Sequence, residues 1–447
     1  HSALTEAERA AEWWRIRRGE ADIVIGPRAA VFAPLPRLRL IAIDEEESSA
    51  FKQDRIPRYH APTVAHWLAE RTRSVLVLGS ATPSVSTYAA ALSGGEHLLE
   101  LPHRAQGRAL PPVTIVDMRL EIAARHFSPL SRELQAAVGG SLERGEQSIL
   151  FLNRRGLATF VLCRDCGQAR ECPHCSVALV HHASLGRLQC HYCSSTEPLP
   201  RRCPACGSRY IKSFGVGTER IEQEVRALFP TARVLRLDRD VMKTPDAADL
   251  VFDQMRSGAA DVLVGTQLVA KGLDLPNVTS VGVVNADTSL HFPDYRSSER
   301  TFSLLTQVAG RAGRGSAASQ VFIQTYTPDH PAIRHARYHD YRGFFREELE
   351  VRRTYRFPPF AELIVATHGH RDEARAEREA KAAAEHLSAT IALLNLGDIE
   401  VLGPSPAFVY RLKDEFRFEV TLKGSDLHRV ADGLPRGRGW SLDVDPM

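Results

Sequence analysis

All eight cysteines of this 447-residue chain fall between positions 163 and 206, as four C-x-x-C pairs: CRDC, CPHC, CHYC and CPAC. Nothing else restricts the fold as much, because a tight turn at this spacing presents two sulfurs to one tetrahedral ion, and eight sulfurs make two four-cysteine sites. Disulfides are one rival; the start HSALTEAERAAEWWRIRRGE has no signal-peptide shape, and a cytosolic chain keeps its thiols reduced. An iron–sulfur cluster is a second rival that spacing does not exclude, whereas a thioredoxin-type redox pair does not come in four copies. We read the pairs as zinc sites. Cys172/Cys175 and Cys190/Cys193 flank HHASLGRLQ like a hairpin and share one ion, which leaves Cys163/Cys166 and Cys203/Cys206 to close a nested second site. His174, His181, His182 and His191 are not needed as ligands beside eight thiolates. Arg164, Arg170, Arg187, Arg201, Arg202 and Arg209 make the stretch basic, which suits a phosphate-facing module or merely a solvated one.

On either side of the cysteines the chain alternates strand and helix patterns. The spacing predicts a helix over 8–18 and a strand over Ile23–Ile25. The strand LRLIAID follows, then the helix APTVAHWLAERTR and the strand SVLVLGSATPS. After the Pro-rich joint LPHRAQGRALPPV a second alternating block opens with SRELQAAVGGSLERG and SILFLNRRG, breaks at the cysteines and resumes near Ser213. This is the pattern of parallel sheets with helices on their faces, whose ligands bind beyond the carboxyl ends of the strands. From about His330 the pattern becomes mixed α+β. The expected domains are 1–105, 106–162 with 213–330, the insert 163–212, and 331–447. Composition agrees with a soluble protein at 43% hydrophobic and 25% charged residues, and no apolar run approaches the ~18 residues of a membrane span. A net charge of +3 is a weak argument for nucleic acid. The chain opens on His1 directly into a strand and helix pattern, so it reads as a piece of something longer.

Four strand-end motifs carry chemistry. DEEE, Asp44 to Glu47, closes an apolar strand. GSAT spans Gly79 to Thr82, GTQLVAKG spans Gly265 to Gly272, and QVAGRAGR ends on arginines three apart that suit charge developing on a transferred phosphoryl group. In this order they resemble superfamily 2 helicases. FLNRRG with the cysteine pairs behind it, GVGTER, PDYRSSERTF, RFPPFAE, LGPSPA and LDVDP narrow the resemblance to the primosomal replication-restart helicases, along essentially the whole chain.

The resemblance implies two RecA-like parallel-sheet lobes, the first incomplete, a two-zinc insert in the second lobe, and a small α+β C-terminal domain. It implies an ATP-dependent 3′–5′ DNA helicase that recognises stalled or collapsed forks and initiates primosome assembly. It also implies two zinc ions, ATP with Mg²⁺, and a cytoplasmic location. The implied partners are branched and single-stranded DNA, primosome proteins, single-stranded DNA-binding protein and loading factors for the replicative helicase. Carried onto this sequence, Asp44 and Glu45 would orient Mg²⁺ and the attacking water, and Gly79, Ser80, Ala81 and Thr82 would couple nucleotide state to lobe movement. Gln307, Arg311 and Arg314 would reach the γ-phosphate, and Thr266 and Gln267 would touch the DNA backbone. FKQDRIPRYH resembles the family's aromatic-rich DNA-sensing loop, with Phe51, Lys52, Arg58 and Tyr59 mixing stacking with charge.

Two motif residues depart from the family: Glu47 replaces the histidine of DEEH, and Leu273 replaces the histidine of GHDFP. No G-x-x-x-x-G-K-[ST] occurs, so the phosphate loop is expected upstream of a truncated start. These departures keep a second reading open, a non-catalytic scaffold that binds forks and primosome proteins.

Overall fold

The computed structural model describes residues 4–103, 110–152, 160–182, 186–213, 217–238, 247–266, 275–311 and 319–446. The chain divides into two compact units, His1–His97 with Phe357–Met447, and Leu98–Arg356.

The first unit opens with the helix Glu6–Arg17, started by a reciprocal capping box between Thr5 and Glu8. No strand forms over Ile23–Ile25 among the described residues; the two isoleucine side chains stand 79% and 92% exposed. Three apolar residues without a neighbouring strand have nowhere to place their backbone hydrogen bonds. Strands Leu40–Asp44 and Val75–Gly79 pair in parallel through the crossover helix Ala61–Thr72, in a register that sets Asp44 opposite Gly79. The C-terminal half of this unit is a four-stranded antiparallel sheet in the order Glu400–Leu412, Glu415–Gly424, Glu362–His370, Trp440–Val444. Helix Glu373–Leu393 covers it with Ala376, Ala380, Ala384, Leu387 and Ile391, a single face at helical spacing packed on Ile364, Val420 and Leu422. Three alanines on that face let the helix lie close to the sheet.

The second unit holds a six-stranded parallel sheet, ordered Val234–Leu237, Val262–Gly265, Gln147–Leu152, Val278–Asn285, Gln320–Thr325, Val113–Asp117. The two central strands are buried along their whole length and show no alternation; their apolar residues cluster as ILFL and VGVV beside buried polar ones such as Ser148, Thr279 and Ser280. Val113–Asp117, unread in the sequence, starts on the last residue of the Pro-rich joint: it is five residues long, follows Pro111 and Pro112, and sits at the sheet edge, where proline is tolerated. Gly282 is required at the centre, because a Cβ there would lie 2.7 Å from a Leu134 methyl and 3.0 Å from one of Leu150. Helices Pro331–Arg337 and Tyr341–Thr354 belong to this unit, tied in by Arg352 and by the Phe302 and Phe344 rings stacked at 4.4 Å. Among the described residues no helix is long and apolar enough to cross a membrane.

Candidate metal centres and phosphate-facing strand ends

The four C-x-x-C turns share one backbone design. In each, the residue after the second cysteine is left-handed: Gly167 (φ 77°), Ser176 (φ 50°), Ser194 (φ 63°) and Gly207 (φ 73°). Each of these donates its N–H to the carbonyl of the first cysteine, at 2.8, 2.8, 3.1 and 2.8 Å. The turn thereby holds both sulfurs on one side. Cys163, Cys166, Cys203 and Cys206 form one group and Cys172, Cys175, Cys190 and Cys193 the other, with all ligand atoms of a group within 4.8 Å of one another. Nearest sulfurs stand 3.6 Å apart in the outer group and 3.5 Å in the inner, close to the roughly 3.8 Å edge of a tetrahedron with 2.3 Å metal–sulfur bonds. Thiols this close compete for negative charge. Hydrogen bonds from Cys175 and Cys190 pull Cys172 far down, while the same contacts push Cys175 and Cys190 up. A divalent cation is the chemistry that satisfies all four as thiolates, so the residues fit zinc. None of the four histidines enters either group among the described residues; His182 and His191 instead face each other, Nε2 to Nε2 at 3.3 Å.

The insert is fastened to the large sheet. Gly167 lies so close to the Tyr326 carbonyl that a Cβ would sit 2.0 Å from it, and Arg119 donates to the Cys166 carbonyl at 3.4 Å. Its basic character is partly spent internally, since Arg170 makes a two-point pair with Glu197 at 2.7 and 2.6 Å.

In the first unit the four acids have four environments. Asp44 is exposed and its Oδ1 accepts the Glu45 N–H at 2.9 Å. Glu45 is left-handed (φ 51°) and turns the chain off the strand. Glu46 is buried, its N–H donating to the Gly79 carbonyl at 3.2 Å and its carboxylate accepting from the Ser84 N–H at 2.6 Å and the Thr87 hydroxyl at 3.3 Å. Glu47 accepts the Ser80 hydroxyl at 2.7 Å, and Ser80 Oγ accepts the Thr82 N–H at 2.9 Å. The departure at Glu47 thus keeps a direct bond between the acidic strand end and the GSAT turn.

The loop behind the acids is where placement departs most from a simple phosphate-facing role. Lys52 is 6% exposed: its Nζ stands 2.8 Å from Asp443 Oδ1 as an ion pair and donates to the carbonyls of Val444 and Asp445. Arg58 reaches the other Asp443 oxygen at 3.3 Å. Tyr59 stacks edge-on against Phe32 at 4.8 Å beneath Arg28, and Arg28 donates to the Ala50 carbonyl at 2.9 Å. Phe51 is half-buried, and only the tip from Asp54 to Pro57 is exposed. As placed, the charges of Lys52 and Arg58 are committed to the C-terminal sheet. Asp443 went unseen because nearly the whole chain separates it from Lys52; no local pattern could flag it.

In the second unit Thr266 follows strand Val262–Gly265 and donates its N–H to the Leu237 carbonyl at 3.2 Å. Gln307 lies half-buried in helix Ser297–Arg311. Arg311 is the last residue of that helix, its side chain beyond what is described, and Gln267, Leu273 and Arg314 lie outside the described residues. The helix start is heavily anchored: Arg300 pairs with Asp294 at 2.7 Å, and the buried Arg352 bonds Glu348 at 2.9 Å and also Glu299. Sequence reasoning missed Arg352, whose charged helical stretch looks like a solvated face.

Three family models match: the PriA DNA helicase Cys-rich region over 172–198, the primosomal protein N C-terminal domain over 353–447, and the helicase conserved C-terminal domain over 214–316. The replication restart protein PriA of Bacillus subtilis is 45% identical over 95% of this chain and 52% of its own length. That of Synechocystis is 43% identical over 100% of the chain and 55% of its own length, and that of Treponema pallidum 40% over 100% and 68%. The chain spans about half the length of the first two relatives.

Proposed function

The chain belongs to the replication restart protein PriA family, and from that premise we propose that the whole protein is an ATP-dependent DNA helicase. It translocates 3′ to 5′, recognises stalled or collapsed forks and starts primosome assembly. The observation that best supports an ATPase is the parallel register setting Asp44 beside Gly79, with the Ser80 hydroxyl on Glu47. Any change at the nucleotide-sensing turn is then felt at the acids.

On this reading Asp44, an exposed carboxylate at a strand end, would hold Mg²⁺, whose charge offsets that of the nucleotide phosphates. Glu45 takes the proton of the water that attacks the γ-phosphorus, and Gln307, Arg311 and Arg314 meet the charge that develops on the transferred group. Gly79, Ser80, Ala81 and Thr82 carry the nucleotide state into lobe movement. Thr266 and Gln267 bind the DNA backbone, and the 51–59 loop senses single-stranded DNA. Residues 1–105 belong to the first lobe, 106–162 and 213–330 to the second, 163–212 to the zinc insert and 331–447 to the C-terminal domain, whose opening helices up to Arg356 pack within the second unit. Both metal groups hold zinc, which cross-links the insert. The partners are branched DNA, single-stranded DNA-binding protein, other primosome proteins and helicase-loading factors, all in the cytoplasm.

The test is Glu45→Gln in the full-length parent protein, with ATP hydrolysis and fork binding measured side by side. Turnover should fall at least a hundredfold while fork affinity stays within a factor of about three. Undiminished hydrolysis would remove Glu45 from the reaction.

A further inference from the structure

Tyr192 lies inside a metal turn, between Cys190 and Cys193, yet its hydroxyl is spent outside the insert. It accepts the backbone N–H of Tyr295 at 3.4 Å. That N–H belongs to the tight turn ahead of helix Ser297–Arg311, in which Asp294 donates its N–H to the Phe292 carbonyl at 2.7 Å and accepts from the Arg296 N–H at 2.9 Å. The same turn has further anchors. The guanidinium groups of Arg296 and Arg352 lie over the Tyr295 ring at 5.1 and 5.2 Å, and Arg352 is itself locked to Glu299 and Glu348. Beside it, Glu171, next to Cys172, stands 3.9 Å from the buried His291, and Phe160 packs on the same ring at 5.2 Å.

We infer that Tyr192 is a positioning residue through which the inner four-cysteine site sets the start of helix Ser297–Arg311, the helix that carries Gln307 and Arg311. The inference rests on the inner cysteines holding a metal. With the ion bound, Cys190 and Cys193 fix both ends of the turn and aim the phenol at the Tyr295 N–H. Without it, both sulfurs are released and the aim is lost, while the bonds within the turn and the anchors at Arg300 and Arg352 remain. By linkage the effect is mutual: what loosens the Tyr295 turn weakens the grip on the inner ion by the same factor.

The experiment uses the whole chain and reads hydrogen exchange by mass spectrometry together with metal content. Tyr192→Phe keeps the ring and loses the acceptor; it should retain two metal ions, raise exchange across 294–299 about tenfold, and lower the affinity for one of the two ions by the same factor. Stripping the metal from the unaltered chain should raise exchange in that segment at least as much, with helix Glu373–Leu393 unchanged. Tyr192→Ala extends the series and should exceed Tyr192→Phe. Unaltered exchange across 294–299 in a Tyr192→Phe chain that still holds two ions overturns the inference and leaves the metal reading intact. A metal count near zero in the unaltered chain overturns the metal reading instead, and with it the inference.

Discussion

Removing Asp443 should free the 51–60 loop without unfolding the unit that contains it. Lys52 Nζ is 6% exposed, and its one anionic partner among the described contacts is Asp443 at 2.8 Å; the others are main-chain carbonyls. Arg58 depends on the same carboxylate at 3.3 Å. In Asp443→Ala Lys52 is left to the Val444 and Asp445 carbonyls, and Arg58 to the more distant field of the buried Glu419. Breaking a fully buried pair from one side costs about 3–5 kcal/mol. The carboxylate here is partly exposed and the Lys52 carbonyl contacts survive, so about 2–3 kcal/mol is expected, a rise of roughly 30- to 150-fold in the open fraction of the loop. The assay is hydrogen exchange across Phe51 to His60, with trypsin cleavage after Lys52, Arg55 and Arg58 as a second readout. Lys52→Met placed on Asp443→Ala should restore part of the protection, because it removes the stranded charge. Unchanged exchange in Asp443→Ala would show that the Arg28 contacts alone hold the loop, and the ion pair would then carry no energy worth naming.

Burial holds His330 at about 4 and His291 at about 3, below their ordinary 6.5. The unfolded chain therefore binds more protons in that window, and the stability is whole above pH 6.5 and falls with acid, by about 2 kcal/mol for each histidine at pH 5. His330 caps helix Pro331–Arg337 through the Ala332 N–H at 3.2 Å; His330→Asn keeps a cap, so the difference in unfolding free energy of the Leu98–Arg356 unit between pH 7 and pH 5, read by urea titration, should shrink by about 2 kcal/mol. Glu47→His supplies another acceptor for the Ser80 hydroxyl and should cost under about 1 kcal/mol, whereas Glu47→Leu should cost about 1.5–2 kcal/mol in thermal or urea unfolding; equal losses would mean the Ser80 bond is idle. Elemental analysis should find two zinc per chain, and a thiol-reactive mercurial should release both and open 163–206 to protease; a chain that keeps its protection after losing the metal would contradict structural sites.

How much of this was legible beforehand follows from the range of each interaction. The C-x-x-C turns could be read directly, because both sulfurs and the left-handed residue that aims them lie within five positions, and hairpin nesting is a local property too. The helix Ala61–Thr72, the other five strands of the large parallel sheet and the long helix Glu373–Leu393 could be read from apolar runs and spacing. Val113–Asp117 could not, since it starts directly after Pro111 and Pro112, where the composition reads as a joint between blocks. Lys52 and Arg352 misled in the same direction: each sits in a stretch whose composition says solvent, and each is buried by a carboxylate that only the tertiary fold brings near. Charge is where pattern reading fails, because a residue type reports what a side chain can do and not which partner reaches it first.

The acidic strand end shows what that means for a site. Four adjacent carboxylates on one surface would repel one another, and the fold separates them by giving them different surroundings. The left-handed residue Glu45 turns the chain off the strand between Asp44 and Glu46. Glu46 lies at the N-terminus of helix Val85–Leu92, where the Ser84 N–H and the partial positive charge of the helix end accept a buried carboxylate at little penalty. Glu47 takes the Ser80 hydroxyl. Glu46 and Glu47 therefore brace the GSAT turn against the strand, while Asp44 stays exposed at the strand end with Glu45 next to it. On the proposed function, Asp44 is then the acid of this strand end left to meet the Mg²⁺ that accompanies the nucleotide phosphates, while Glu46 and Glu47 hold the turn that presents it.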